Sequence, residues 1–430
     1  MDTQDIAAFR DAVTSGDVAL VRQLLAFAHV QQEINAPMFA FGQRAAHMAA
    51  KNVGMPEVLL AAGADVNLRS EWENGPYTVL DNANDDTAQF LLGRGATLTA
   101  NVAARLGWFD QLQRLITADH AHVHARGGDG QQPLHEAKTV AIADFLLDHG
   151  ADVDARCIDH KSTPAQYALV DRPDVCRRLL ERGAMPDIYM AACLGDVALA
   201  TRILDADPAA TAARINQAGY APVPPLHIYC WTLGFGMSPH DVALKFGHGD
   251  VRDLLEARSA APVRFLNAVI AGDEPAARAL LDADASLVSS LTRDAHGHLA
   301  QAIFHCHNRA AELMVRLGFD ETAPGVDGGT ALHAACWVGN AGMVEIFLER
   351  GRVNVDARDP THLSTPLGWA AFGSVHRRAR GADYVAVVDR LVSAGADISA
   401  PGNGENRSLL RMAEGNDAVQ DALRRHGARE

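Results

Sequence analysis

The feature that most constrains this chain is a glycine that returns at a nearly constant interval. Successive glycines are 33 residues apart at positions 150 and 183, 33 apart at 318 and 351, and 32 apart at 63 and 95. A fixed period of roughly 20–50 residues indicates a repeat architecture, in which each unit packs only against its neighbours. The 430 residues are therefore predicted to form an array that grows along one axis, instead of several globular domains.

One unit is written out completely in the sequence. Residues 328–335 read Gly-Gly-Thr-Ala-Leu-His-Ala-Ala, residues 344–351 read Val-Glu-Ile-Phe-Leu-Glu-Arg-Gly, and residues 353–358 read Val-Asn-Val-Asp-Ala-Arg. This order predicts a turn, a short helix, a second helix and an extended finger. At this period the wording resembles the ankyrin repeat. The resemblance implies an all-α fold, an ankyrin-repeat α-solenoid with short β-hairpin or finger loops, made of about twelve or thirteen degenerate units.

The departures from this wording divide the chain into five segments. We predict an N-terminal capping repeat at 1–37, regular repeats at 38–190 and irregular repeats with an insertion at 191–260. Regular repeats return at 261–403, where one repeat carries an inserted loop at 375–383, and a C-terminal cap follows at 404–430. In the irregular segment, either one unit contains an inserted helix or two degenerate units are fused. Residues 365–374, Thr-Pro-Leu-Gly-Trp-Ala-Ala-Phe-Gly-Ser, resemble a variant of the repeat found in bacterial members of the family.

Composition and charge exclude several classes of partner. The formal net charge is -15, and no concentrated basic footprint is present, so neither nucleic acid nor an acidic membrane surface is expected to bind. No apolar run approaches the roughly 20 residues that cross a bilayer, and the N-terminus lacks the apolar core of a signal peptide. The six cysteines contain no Cys-x-x-Cys pair and are expected to be reduced thiols. These observations predict a cytoplasmic protein.

Four histidines occupy the position after a leucine or an equivalent apolar residue at the start of a first helix. In ankyrin repeats this histidine usually bridges backbone groups of adjacent loops, which implies a structural role and not a catalytic one. The four are His47, His135, His227 and His333.

Large aromatic residues follow the Ala-Ala pair, or its equivalent, in several units. The resemblance places this position in the concave groove where ankyrin partners bind. Aromatic residues exposed in a row are typical of a recognition surface, although some of these rings could instead fill gaps left by the irregular units. The predicted binding strip comprises Trp231, Phe304, Trp337 and Phe372, with Tyr229, His305 and Trp369 around it.

The inserted loop at 375–383 adds positive charge beside this strip. Arg377, Arg378 and Arg380 could clamp a carboxylate or phosphate through bidentate hydrogen bonds. The alternative is a solvated loop without a ligand. Long insertions in compact arrays are often functional, and we therefore include the three arginines in the predicted binding surface for a protein or peptide partner.

A second hypothesis is an unusual enzyme or small-molecule binder, with a pocket between the 209–258 and 296–384 regions. His305, His376 and Asp383 are its candidate groups for general acid–base work, but no residue is assigned as catalytic. The chain contains 19 histidines, yet none follows the ligand spacing of a known metal motif. The glycine-rich turn at 127–130 lacks the Lys-Ser/Thr that a phosphate loop needs. No metal and no cofactor is predicted.

Overall fold

The computed structural model describes residues 2–49, 53–217, 220, 226–377 and 379–429. Regular secondary structure in these residues is helical, with one isolated β-bridge between Gln217 and Tyr220. This confirms the predicted all-α solenoid. The fingers are tight turns and contain no described strand. In one of them the amide of Gly325 donates to the carbonyl of Gly329 at 2.8 Å. This hydrogen bond closes a turn that is too short for paired β-strands.

The chain divides into two compact units, and the first spans Met1–Arg258. Short 3-10 helices also occur in it at Ala40–Gly42, Val79–Asn82, His120–His124, Gly128–Gly130, Pro133–Glu136 and Pro208–Ala212. Its α-helices are α1 (Asp2–Ser15), α2 (Val18–Leu24), α3 (Ala28–Gln32), α4 (Ala45–Met48), α5 (Gly54–Ala61), α6 (Asp85–Leu92), α7 (Ala100–Leu106), α8 (Phe109–Ala118), α9 (Val140–Asp148), α10 (Pro164–Ala168), α11 (Pro173–Glu181), α12 (Ile188–Leu194), α13 (Val197–Ala206), α14 (Tyr229–Thr232), α15 (Pro239–Lys245) and α16 (Gly249–Arg258).

The second unit spans Ser259–Glu430 and has one 3-10 helix at Val326–Gly328. Its α-helices are α17 (Ala261–Ile270), α18 (Glu274–Ala283), α19 (Leu287–Ser290), α20 (Arg293–His296), α21 (His298–Phe304), α22 (Asn308–Leu317), α23 (Ala331–Trp337), α24 (Ala341–Arg350), α25 (Pro366–His376), α26 (Tyr384–Ser393), α27 (Leu409–Met412) and α28 (Asp417–Arg425). In the described part of the chain, none of the helices combines the length and the apolar character that a membrane span requires.

Helix ends follow from local chemistry. At the start of α25 the Thr365 hydroxyl accepts a hydrogen bond from the amide of Gly368 at 3.1 Å. Pro366 follows at the first helical position, where its missing N–H would have been unpaired in any case. At the other end of a unit, Gly351 closes α24 with a φ of 63°. Only glycine adopts this left-handed conformation without steric cost, which explains why the periodic residue is glycine.

Small residues allow the first helices of successive units to approach closely. Helix α23 packs between α21 and α25, and its Leu332, Ala334 and Ala335 are buried. Burying a leucine side chain contributes about 1.5–3 kcal/mol. The alanine pair keeps the neighbouring helix near enough for that burial to be complete. The core of each repeat is therefore a layer of leucine and alanine side chains, and this layer continues into the next repeat.

The histidine bridge is present in three of the four predicted places. The Nδ1 atom of His135 accepts from the amide of Gln132 at 3.1 Å, and its Nε2 lies 3.2 Å from the carbonyl of Ser162 in the next finger. His47 and His333 make the equivalent pairs of hydrogen bonds. His227 is different, because its Nδ1 accepts from the amide of Tyr229 only two residues further on. It closes a local turn, and among the described residues its ring makes no bridge to a neighbouring finger.

The irregular segment resolves into a continuous stack with a side branch. Helix α12 packs against α15, and α13 packs against α16, so these two helix pairs are direct neighbours. The intervening chain, which carries α14, is inserted between them. Its base is closed by Ile215, whose amide donates to the carbonyl of Met237 at 3.1 Å. This packing favours the inserted helix over the fusion of two degenerate units.

We predict that acid destabilises the fold through the bridging histidines. Burial lowers the pKa of His135 from 6.5 to about 4, and it also lowers the pKa of His47 and His333. Between these pH values the unfolded chain binds protons that the folded chain excludes. The free energy of unfolding should therefore fall as the pH falls, by up to about 1.4 kcal/mol per pH unit for a fully buried histidine.

Urea titrations at several pH values between 7 and 4 measure this loss. His135→Asn should lower the stability at pH 7 and flatten the acid slope, because one proton-excluding group is gone. The matched control is His120→Gln at an exposed histidine, which should leave the slope unchanged. Equal slopes in the two variants would contradict the assignment.

Candidate functional site: an aromatic groove in the second unit

Three aromatic rings from successive first helices form a ladder. Phe304 ends α21, Trp337 ends α23, and Phe372 lies in the last part of α25. The Phe304 and Trp337 ring centroids are 5.8 Å apart with planes 4° from parallel. The Trp337 and Phe372 centroids are 6.1 Å apart at 30°. The helices can bring these rings together because a Cβ at Gly373 would lie only 2.4 Å from the Trp337 carbonyl, so glycine is required there.

Trp369 forms the base of this ladder and is held by a buried carboxylate. Its ring meets Trp337 edge to face at 6.2 Å, and its side chain is buried. The indole Nε1 donates to Oδ2 of Asp359 at 2.9 Å. Burial alone would raise the pKa of Asp359, but hydrogen bonds from the His362 amide and from Trp369 outweigh it, so the pKa is lowered. Asp359 is thus an ionised anchor that fixes the tryptophan.

Together these rings line a groove with a volume of about 290 Å³. We call it the aromatic groove, defined by Phe304, Trp337, Trp369 and Phe372. Phe372 is 37% exposed, whereas Phe304 and Trp337 are half-buried, so the ladder is only partly accessible to solvent. The rest of the lining is mostly polar and comes from the neighbouring fingers and the C-terminal segment: Asp327, His362, Asn403, Glu405, Arg407 and Met412.

Sequence reasoning missed that second set. The residues lie in two adjacent fingers and in or next to the predicted cap, at positions without a counterpart in the repeat sequence. The fingers of consecutive units adjoin one another, since the Ser364 hydroxyl donates to the Gly402 carbonyl. Because consecutive fingers adjoin, the finger residues next to the aromatic strip could have been predicted as groove residues from the repeat spacing alone.

The inserted loop begins later than predicted. Helix α25 continues to His376, so the first two residues of the 375–383 segment are helical. Arg377 follows, and its guanidinium lies 3.7 Å from the thiol sulfur of Cys306. Burial, and then the nearby His307 and Arg377, lower the pKa of His305. Arg380 is exposed, and Arg378 lies outside the described residues.

The candidate acid–base groups have other roles in the described structure. The Asp383 carboxylate caps α26 by accepting from the Ala386 amide at 2.9 Å. His376 packs on Phe372 with a centroid separation of 4.0 Å. Within the described residues no hydrogen bond joins His305, His376 and Asp383 to one another. No residue is assigned as catalytic, and these three side chains stay candidates of the second hypothesis only.

Tyr229 and Trp231 belong to the first unit and differ in environment. Tyr229 is completely buried, and its hydroxyl donates to Oδ2 of Asp187 at 3.1 Å. The sequence placed Tyr229 beside an exposed strip, but the inserted segment folds it into the core. Trp231 is 62% exposed and meets Phe235 edge to face at 5.7 Å. The ladder therefore contains three of the four predicted strip residues.

Comparison with known proteins gives one result. The ankyrin repeat family model matches residues 129–158 and 327–360. The second match includes α23, Trp337 and Asp359, so the best-formed repeat of the array also carries the middle rung of the ladder. No match to a curated protein was found. The number of repeats stays a prediction.

We expect Asp359→Asn to loosen the base of the aromatic groove. An asparagine has only one acceptor oxygen, so one of two donor pairs loses its acceptor: the amides of Thr361 and His362, or the Ser364 amide and the Trp369 indole. Such a loss costs about 1–3 kcal/mol. Urea unfolding should show that decrease, and tryptophan emission should shift to the red in the folded state. Asp327→Asn, at an exposed carboxylate, is the control, and equal stability of the two variants would refute the anchor role.

Proposed function

We propose that this ankyrin-repeat protein binds a partner protein or peptide through the aromatic groove of its second unit. Ankyrin repeats are generally protein–protein interaction modules. The observation that carries the proposal is the partly exposed ladder of Phe304, Trp337 and Phe372. Contiguous exposed aromatic surface is costly for an isolated soluble fold and is typical of interaction sites.

The size of the groove indicates what enters it. Its volume of about 290 Å³ lies just below the roughly 300–1,000 Å³ found for ligand pockets. This space suits one or two apolar side chains of a partner better than a large cofactor. The mixed rim of Asp327, His362 and the Glu405–Arg407 ion pair at 2.8 Å offers hydrogen bonds to an extended backbone. We therefore propose a peptide or exposed loop with an aromatic or long aliphatic anchor.

A buried donor supports the same proposal. The indole Nε1 of Trp337 is buried and has no hydrogen-bond partner among the described residues. Unsatisfied buried donors are rare and require a specific explanation. A small rotation of this half-buried ring on binding would let a partner carbonyl accept from it. The ladder would then supply both apolar contact and one directional hydrogen bond.

Positive charge lies next to the ladder along the chain. His376 packs against Phe372 with its ring tilted by 41°, and the exposed Arg377 and Arg380 follow it. We propose that Arg377 and Arg380, with Arg378, favour a partner with an acidic residue beside its anchor, and that His305 contributes as a hydrogen-bonding group. Trp231, exposed in the first unit, is not assigned to this groove.

We also propose a cytoplasmic location in a bacterial cell. All six cysteines are free, and reducing compartments keep thiols in that state. The chain's charge of -15 opposes binding to nucleic acid, which makes a protein partner the better assignment.

The test uses random peptides displayed on phage and selected on the full-length chain. Synthetic copies of the selected peptides are then titrated against each variant by fluorescence polarisation. We expect Phe372→Ala to weaken binding by about 2 kcal/mol or more, as for other central aromatic anchors. Its melting temperature should change little, because the ring is already 37% exposed.

Trp231→Ala is the matched control, since it removes a more exposed aromatic ring from the first unit. It should leave peptide affinity unchanged. Peptides that bind Phe372→Ala as well as the wild type would refute the groove. If Phe372→Ala and Phe304→Leu both unfold, the rings are core residues and the proposal fails.

A further inference from the structure

Three side chains from two adjacent fingers of the first unit converge in a way that the aromatic groove does not use. They are Asp129, from the glycine-rich turn at 127–130, and the neighbouring pair Asp159 and His160. One ligand-capable atom of each lies within 4.8 Å of the other two. Two ligands on one Zn²⁺, with bonds of about 2.1 Å, are separated by up to about 4 Å. A small side-chain adjustment would bring all three onto one ion.

The fingers that carry these residues are fixed against one another by their backbones. The amides of Ile158 and Asp159 both donate to the carbonyl of Asp129, at 3.0 and 3.1 Å. On the other side, the Asp129 amide donates to the Gly75 carbonyl at 3.2 Å. A Cβ at Gly75 would lie 2.0 Å from the Gly130 amide nitrogen, so this approach requires glycine. The three side chains therefore project from a rigid platform.

The histidine presents a lone pair to the cluster. Its Nδ1 lies 2.8 Å from the Leu226 carbonyl, and a carbonyl oxygen can only accept, so Nδ1 carries the proton. In the neutral ring Nε2 is then an acceptor, and it lies 3.5 Å from Oδ2 of Asp159. Two acceptors that face each other repel unless a proton or a metal ion lies between them. A backbone carbonyl that fixes the tautomer is the usual outer partner of a metal-binding histidine.

Each carboxylate is held in the same manner. Oδ1 of Asp129 accepts from the Trp72 indole at 3.1 Å and from the Tyr77 hydroxyl. Oδ1 of Asp159 accepts from the Asn74 amide at 2.8 Å. The second oxygen of each aspartate has no hydrogen-bond donor among the described residues. Outer hydrogen bonds that leave one oxygen available are the arrangement that orients ligands at metal centres.

Charge balance points to a cation. Among the described residues, no lysine or arginine forms an ion pair with Asp129 or Asp159, and the imidazole of His160 is the only basic side chain paired with Asp159 within 4.0 Å. Two half-buried carboxylates this close repel unless a positive charge is shared between them. The Asp159 and His160 side chains are 22% and 15% exposed, so an ion from solvent can reach them.

We propose that Asp129, Asp159 and His160 form a binding site for one divalent transition-metal ion, best matched by Zn²⁺. An imidazole nitrogen with two carboxylate oxygens suits Zn²⁺ or its first-row neighbours and disfavours Ca²⁺ and Mg²⁺, which prefer oxygen ligands alone. Three protein ligands leave a further position to water. The ion would connect two consecutive fingers and, through Asn74 and Leu226, the loops on either side.

The second unit provides a matched comparison. Asp327 and His362 occupy adjacent fingers there, with the same 3.5 Å between Nε2 and a carboxylate oxygen. Both side chains are about half exposed, at 48% and 56%. The described residues offer this pair no third ligand. The second unit therefore has an aspartate–histidine pair of the same kind, but it lacks the three-ligand cluster.

The experiment titrates metal-free, tag-free full-length chain with Zn²⁺ by calorimetry and with Co²⁺ by visible absorption. We expect one equivalent to bind saturably, an increase in melting temperature with Zn²⁺, and d–d bands with Co²⁺. Asp159→Asn and His160→Gln should each weaken Zn²⁺ binding by at least about tenfold, and Asn74→Ala by about tenfold through the outer shell. Near-ultraviolet circular dichroism without metal establishes that each variant is folded.

Asp327→Asn and Cys306→Ser are the controls, and both should bind Zn²⁺ as the wild type does. Unchanged binding in Asp159→Asn and His160→Gln would show that surface histidines take up the ion adventitiously, and the proposal would fall. It would also fall if no saturable binding occurs. A loss of melting temperature in His160→Gln that is equal with and without Zn²⁺ would identify a simple ion pair instead.

Discussion

A neutral, buried imidazole joins three of the repeats to the finger that follows. His47, His135 and His333 each accept from the backbone at the start of their own helix and donate to a carbonyl in the following finger. One ring therefore satisfies polar groups of two units at once and sets the distance between them. The alanine-lined helix contacts, the finger register and both candidate sites depend on that distance. A protonated ring could not accept at Nδ1, so the arrangement requires the uncharged form.

Much of this could be predicted because the relevant constraints are local and repeated. The glycine that ends α24 needs a positive φ, and Thr365 with Pro366 starts α25 by its own capping chemistry. Regular spacing then places one residue per unit in equivalent positions. The neighbouring rings of Phe304, Trp337 and Phe372 follow from that spacing alone. The same argument failed for Tyr229, since the inserted segment does not keep the register on which it relied.

Other features depend on contacts between segments that the sequence does not mark as partners. Asp359 is an ordinary finger residue in the sequence, and only the fold shows that it receives four hydrogen bonds, including one from Trp369. No metal site was expected, because ligand spacing was sought within short motifs. Asp129 and His160 come from different fingers and meet only because those fingers stack. Asp383 illustrates the converse: a carboxylate near histidines in sequence is already committed to a helix start.

The side branch that carries α14 separates two quantities that usually change together in a repeat protein. Since α15 and α16 stack directly on α12 and α13, the inserted residues add chain length without adding a layer to the array. The branch is nevertheless anchored to these layers, because its Tyr229 is buried in the core. Insertions or deletions there can alter the surface around Trp231 while the layers on either side keep their spacing. The inserted segment therefore allows a new recognition surface to evolve while the packing of the repeat layers is retained.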